Sequence, residues 1–244
     1  NNIVGWSWKA GGTASSNGDG TITSSVSANP TAGFSIVSYT GTGANATVGH
    51  GLSQRPDMVI VKNRSAAGRG WVIWTESFSG SQAIEFDTSA VVTSTTSWNS
   101  LLPTSTVINL GTRVGTNESG ETFIAYCFNS VEGYSKIGTY AGNNSTDGTF
   151  VYLGFTPAFI LLKTYDNTDN WNIYDIKRNG YNGTGGTYQI RADTNQAGFS
   201  AAATMIDLVS NGVKMRTNDP GTNSARNYLY MAFAESPFKT SNAR

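Results

Sequence analysis

The side chains best placed for chemistry are a few carboxylates, one imidazole, one thiol and a set of large rings. Glu76, Glu85, Asp87, Asp175 and Asp193 stand in or beside short apolar runs. Two acids held roughly 5–10 Å apart are what glycoside cleavage requires. Acids on strand edges are ordinarily solvated, so no catalytic role is expected of these and the chain is read as a non-enzyme. No Gly-x-Ser-x-Gly elbow, phosphate loop or dinucleotide fingerprint occurs. His50 is the only histidine, which excludes His-rich metal sites and schemes that need two imidazoles. Cys127 is the only cysteine, so no internal disulfide forms. Its apolar run, Ile124-Ala125-Tyr126-Cys127-Phe128, predicts a buried structural thiol.

Two polar loops hold the oxygens a calcium ion would take, Asn143-Asn144-Ser145-Thr146-Asp147-Gly148 and Asp166-Asn167-Thr168-Asp169-Asn170. Neither has EF-hand spacing, and Asx-turn chemistry accounts for both without a metal. No metal and no cofactor is expected. Exposed rings beside amides and acids make a sugar platform, because sugar C–H faces stack on the ring while hydroxyls take hydrogen bonds. Trp71, Trp74, Trp171 and Tyr174 recur at one offset and are expected to fill cores. Trp98 is unduplicated, lies in the Ser/Thr-rich stretch 89–102, and is expected to be exposed. The candidate ligand-binding set is therefore Trp98, Asn143, Asn144, Asp147, Asp166 and Asp169.

The elements that must position these residues come in two copies. Pro56-Asp57-Met58-Val59-Ile60-Val61-Lys62 returns as Pro157-Ala158-Phe159-Ile160-Leu161-Leu162-Lys163, at an offset of 101. Trp71-Val72-Ile73-Trp74 returns as Trp171-Asn172-Ile173-Tyr174, at 100. One offset held over some forty residues indicates a tandem duplication. The predicted units are 1–130 and 131–244, abutting without a flexible linker. Lys-ending runs without polar alternation predict strands buried on both faces. A large–small rhythm predicts a frame strand at Val4-Gly5-Trp6-Ser7-Trp8, at 124–128 and again at 229–233. These frame strands are expected to pair across the two units. Stretch 204–216 predicts a hairpin turning at Asn211-Gly212, with Ile206-Asp207-Leu208 matching Ile108-Asn109-Leu110 of the first unit. No stretch carries a capped helical stripe. The fold class is all-β: two tandem antiparallel β-sandwich units, jelly-roll or lectin-like.

Composition narrows the partners. Apolar residues make up 38% and charged residues only 13%, against a usual charged share of about 25%. Aromatics at 11% argue against disorder. Lys plus Arg and Asp plus Glu are 16 each, so no basic field gathers phosphates and nucleic acid is not an expected partner. No apolar run approaches the ~18 residues of a membrane span, so no membrane insertion is expected.

Several passages carry a resemblance. Gly5-Trp6-Ser7-Trp8-Lys9-Ala10-Gly11-Gly12-Thr13-Ala14, Gly33-Phe34-Ser35-Ile36-Val37-Ser38-Tyr39-Thr40-Gly41 and Val48-Gly49-His50-Gly51-Leu52 are three of them. Ala125-Tyr126-Cys127-Phe128 with Glu132-Gly133-Tyr134-Ser135, and Tyr228-Leu229-Tyr230-Met231-Ala232-Phe233-Ala234-Glu235, are two more. They resemble a structural protein family of tail fibres and other virion appendages of tailed phages, many of them from marine and cyanobacterial hosts. The resemblance implies a virion protein with other virion proteins as partners and no catalytic residues. It further implies a role in host attachment or fibre assembly, with a host surface glycan or receptor as ligand. Fibre proteins of this kind are often trimeric, so a homo-oligomer is expected. The rival expectations are a glycan-degrading depolymerase and a purely structural capsid decoration or head fibre.

Overall fold

A computed structural model describes residues 5–179, 187–201 and 205–236. The strands in chain order begin with β1 (Ser15–Asn17), β2 (Ser24–Asn29), β3 (Phe34–Thr40), β4 (Ala46–Gly49) and β5 (Met58–Asn63). Next come β6 (Trp71–Thr75), β7 (Gln82–Glu85), β8 (Thr93–Ser94), β9 (Val107–Leu110) and β10 (Thr122–Phe128). They continue with β11 (Ser135–Ala141), β12 (Phe150–Tyr152), β13 (Pro157–Thr164), β14 (Asn172–Asp175) and β15 (Tyr188–Arg191). The last are β16 (Phe199–Ser200), β17 (Ile206–Val209), β18 (Gly212–Met215) and β19 (Asn227–Ala234). Helix among the described residues is confined to single turns, α1 (Val114–Asn117), α2 (Ile176–Asn179) and a 3₁₀ turn at Pro30–Ala32. The chain is an all-β protein built of antiparallel, sandwich-like sheets.

Two compact units form. The first holds Asn1–Arg69, Ser79–Ser81 and Thr95–Asn129. The second holds Gly70–Phe78, Gln82–Ser94 and Ser130–Arg244, so β6, β7 and β8 group with it. In the first, β1-β2-β3-β10-β5 lie side by side, and β4 pairs with β9 in a small sheet. In the second, β11-β19-β13-β14-β15-β16 form one sheet, and β12-β18-β17 the small one. The order β3-β10-β5 thus has the same form as β11-β19-β13. Each long frame strand is flanked on both sides inside its own unit, β10 by β3 and β5, β19 by β11 and β13. This corrects the expectation of pairing across units, and the physical reason is that neither β10 nor β19 has a free edge to offer.

The second unit shows how alternation builds its core. Tyr140, Ile160, Leu162 and Tyr228 point inward from the large sheet and meet Val151, Val213, Met215 and Leu208 of the small one. Intervening residues of the large sheet, such as Leu161, Leu229 and Met231, are buried too. Both faces of β13 and β19 are therefore covered, as an unbroken apolar run implies. In β5 this holds only in part, because Ile60 and Lys62 remain half-exposed.

Three details depart from the sequence reading. Residues 5–10 form no strand; Trp8 instead packs edge-on against Phe128 with ring centroids 6.1 Å apart. The hairpin turns at Ser210 and Asn211, with Val209 opposite Gly212. Finally, the strand that β4 pairs with is β9, and the strand that β12 pairs with is β18, so 107–110 corresponds to 212–215 and not to 206–208.

Similar bonds occur at matching places in the chain. Tyr39 Oη donates to Thr116 O at 2.6 Å, and Tyr140 Oη to Thr222 O at 2.5 Å. Tyr39 stacks on Phe123 at 5.2 Å, and Tyr140 on Tyr228 at 5.0 Å. Trp71 N donates to Asp87 Oδ1 at 3.0 Å, and Trp171 N to Asp193 Oδ1 at 3.1 Å. Gly41 N bonds Glu121 O, and Gly142 N bonds Arg226 O. The charges between these stations are exchanged: Arg69 and Glu121 stand where Asp169 and Arg226 stand. Arg69 pairs with Glu118 at 2.8 Å, whereas Asp169 pairs with Arg226 at 3.5 Å.

Candidate contact face

The residues with chemical potential are largely occupied in holding the chain. Asp87 and Asp193 accept the main-chain N–H groups of the two repeated tryptophans. Asp175 is buried, and it accepts from Lys177 N at 2.9 Å, Arg178 N at 3.1 Å and Arg178 Nε at 2.5 Å. Glu85 and Asp87 converge on Gly70, where an added Cβ would stand 3.1 Å from each. His50 is fully buried; its Nδ1 accepts from Leu52 N and its Nε2 lies 3.2 Å from Thr104 O. Burial pulls its pKa below the usual histidine value, so the imidazole is neutral at pH 7. Cys127 is fully buried, and desolvation pushes its thiol up to about 12. A thiolate nucleophile is thereby removed at neutral pH.

Lys163 is the least ordinary ionisable group. It is fully buried, and its Nζ donates to Ser89 O at 3.0 Å and Asp169 O at 2.6 Å. Burial lowers its pKa to about 8, against the opposing pull of Asp169 and Asp193. Lys62 donates in the same way to Arg69 O. Because both lysines reach back to the loop before the tryptophan, this is a repeated latch for that loop.

The two Asx loops converge on one segment, 217–227. Asn223, fully buried, donates from Nδ2 to Asn143 Oδ1 at 2.8 Å, Ser145 O at 2.8 Å and Thr217 O at 2.9 Å. Its Oδ1 accepts from Asn143 N at 3.2 Å and Thr149 N at 3.3 Å. Asn144 bends at a φ of 55°, in the left-handed region that Asn tolerates. Asp166 Oδ2 accepts from Asn227 N and Nδ2, at 2.9 and 2.8 Å. Asp169 lies 3.5 Å from Arg226 and caps Asn170 N. Asn143, Asp166 and Asp169 are thus brought to one segment and spent there on structure. The first unit ties the same knot with Asn117, which donates to Ala44 O and Gly111 O and accepts from Thr42 N. Among the described residues, no three His, Cys, Asp or Glu side chains gather as a metal site would need.

Trp98 is a correction. It lies in a turn between β8 and β9 but is only 2% exposed, and so does not stand on a loop surface. The exposed rings lie elsewhere. In β12, Phe150 is 44% and Tyr152 59% exposed, while Val151 between them is buried. Period-two alternation points both rings off the outer face of the small sheet. Opposite Phe150 stands Lys214, and opposite Lys214 stands Asp207. The Phe150 ring lies over Gly212, where an added Cβ would meet ring carbons at 3.0 Å. Lys214 Nζ reaches Asp147 Oδ1 at 2.7 Å and Gly148 O at 2.6 Å. That contact holds the Asp147 carboxyl below its usual pKa. Arg216 meets Asp207 at 3.0 Å. Lys136 Nζ sits 5.2 Å from the Tyr152 ring centroid and donates to Tyr152 O at 2.9 Å. Two exposed rings on one strand, edged by two lysines, an arginine and two carboxylates, make a face that stacks on apolar surface and offers both donors and acceptors.

A family model described as a domain of unknown function, DUF7483, matches residues 1–237. The chain belongs to the DUF7483 family. No curated protein and no solved structure matches it. In this DUF7483 chain, Asp147 is the one sequence-predicted ligand residue that lies at the aromatic face. The signal for the face was present in the sequence as Phe150-Val151-Tyr152, two rings spaced two apart directly after a polar loop. It is short, and the same pattern serves core strands such as Tyr228-Leu229-Tyr230. Only burial separates the two.

Proposed function

We propose that this protein is a non-enzymatic virion appendage domain that works by surface contact, in host attachment or fibre assembly, with a surface glycan as the ligand. The observation that carries the reading is the Phe150–Tyr152 face with Asp147, Asp207, Lys136, Lys214 and Arg216 around it. Rings of this exposure suit the C–H faces of sugars, and charged neighbours suit hydroxyls and acidic substituents. The resemblance of the Gly33-Phe34-Ser35 and Tyr230-Met231-Ala232-Phe233 passages to tail-fibre and appendage proteins supplies the setting. In that setting, other virion proteins are the partners and a homo-oligomer, with a trimer favoured, is the assembly.

The test is binding of the purified protein to bacterial surface polysaccharides and intact cells, with glycan length followed in parallel. Saturable binding to uncleaved glycan that falls about tenfold or more in Phe150→Ser/Tyr152→Ser is the expected result, since loss of ~1.4 kcal/mol of contact is a factor of ten. Shortened glycan would replace this reading with a depolymerase. A folded protein that binds no glycan or cell would leave a purely structural decoration.

A further inference from the structure

The first unit carries a ribbon for which the described residues of the second have no counterpart. β2 runs along the outer edge of β3, with Ser25 opposite Ser38 and Ser27 opposite Ile36. The stretch before β2 then covers the outer edge of β4. Ile22 N donates to Thr47 O at 3.0 Å, and Thr47 N donates to Thr21 Oγ1 at 2.8 Å. One segment, 15–29, thus closes the side of the sandwich where β3 and β4 would otherwise present unpaired main chain. The segment contains a single charge, Asp19, and is otherwise Ser, Thr, Asn, Gly, Ala, Val and Ile.

In the second unit, β11 takes the place of β3 and β12 the place of β4, and both stand at the margins of their sheets. Met215 N bonds Thr149 O and Leu153 N bonds Asn211 O, which turns the main-chain groups of Phe150 and Tyr152 outward. Gly142 N bonds Arg226 O and Ala234 N bonds Tyr134 O, which turns those of Ile137 and Thr139 outward. Ile137 N is met by Ser130 Oγ, and Tyr152 O by Lys136 Nζ. Thr139 and Phe150, both exposed, face out with no strand against them among the described residues. Open edges recruit strands, because each unpaired N–H and C=O is a ready partner.

We propose that this open side of the second unit, along β11 and β12, is a docking site for an extended segment of another protein. That segment adds there as 15–29 adds in the first unit: low in charge, with Ser or Thr alternating with small or β-branched residues. Its main chain bonds the outward groups of Thr139 and Phe150, and Lys136 swings off Tyr152 O to admit it. The glycan reading uses ring faces and this one uses main-chain edges, so each can fail alone.

Disulfide trapping tests it on the full chain. Cys127 is buried and unreactive, so Thr139→Cys introduces the one accessible thiol. The probe is a synthetic peptide of residues 20–30 of this chain, carrying cysteine at the position of Ser25, which faces Ser38, the residue equivalent to Thr139. A control peptide carries cysteine at the position of Val26, whose side chain points to the other sheet face. The expected result is saturable crosslinking at least tenfold faster with the first peptide. Amide exchange of Thr139 and Phe150 in the unmodified chain is expected to slow on adding the cysteine-free peptide. Equal crosslinking by both peptides, or unchanged exchange, overturns the proposal. Self-crosslinking of the Thr139→Cys chain that excludes the peptide overturns it in favour of edge-to-edge pairing of two copies.

Discussion

Replacing Asn223 with alanine tests whether the polar loops are built to hold structure. The side chain is fully buried; its two amide protons are shared among three acceptors and its oxygen accepts twice. At about 1 kcal/mol net for each of the four donor and acceptor positions, the upper bound is near 4 kcal/mol. Asn143 and its loop are exposed, so water repairs part of the loss, and the cost expected is about 2–4 kcal/mol. Asn117→Ala removes three bonds of the same kind in the first unit and should cost about 1.5–3 kcal/mol. Asn143→Ala, on the solvent side of the knot, should cost under about 1 kcal/mol. Urea unfolding followed by circular dichroism measures all three. A loss below about 0.5 kcal/mol for Asn223→Ala would show that the knot does not hold the loop and would return Asn143 and its neighbours to the pool of ligand residues.

Lys163 sets a pH window. Its amine is protonated in both states below about pH 8, then loses its proton in the folded state while the unfolded chain keeps it to ~10.4. The unfolded state then binds more protons, so stability should rise from about pH 8 toward 10. Above that, buried tyrosines such as Tyr140 and Tyr230, whose pKa values burial raises, act in the opposite direction. Unfolding free energies at pH 7, 8, 9 and 10 should climb in the unmodified chain and stay level in Lys163→Met; a decline from 8 to 10 in the former contradicts the sign. Trp98→Ala should lower stability by about 3–5 kcal/mol and leave glycan binding by the folded fraction unchanged. If binding is lost while the unfolding midpoint stays put, Trp98 belongs to the contact site after all. Cys127 should resist thiol reagents at pH 8 in the native protein and react fully in denaturant; rapid native labelling would mean its strand opens readily.

Class and periodicity were legible without coordinates. Low charge, many turn formers and abundant rings leave an all-β protein as the economical solution, since short strands need turns at frequent intervals. Runs such as Phe159-Ile160-Leu161-Leu162, short and opened by Pro157, indicate strands covered on both faces, because a strand with one solvated face would alternate apolar with polar. The matching Lys and Trp positions were visible as an offset, and Tyr39 and Tyr140, which make matching bonds, are separated by the same 101 residues as the two lysines. Exposure was not legible. Trp98 sits in a polar stretch yet is buried, while Phe150 and Tyr152 sit in a strand yet are exposed, because burial depends on what folds over a residue from elsewhere in the chain. Likewise, Asn143, Asp166 and Asp169 have the chemistry of ligands. Their partners, Asn223, Arg226 and Asn227, lie some sixty to eighty residues away. Local sequence specifies which groups want hydrogen bonds; only the tertiary fold decides whether the chain itself supplies them or leaves them for a partner.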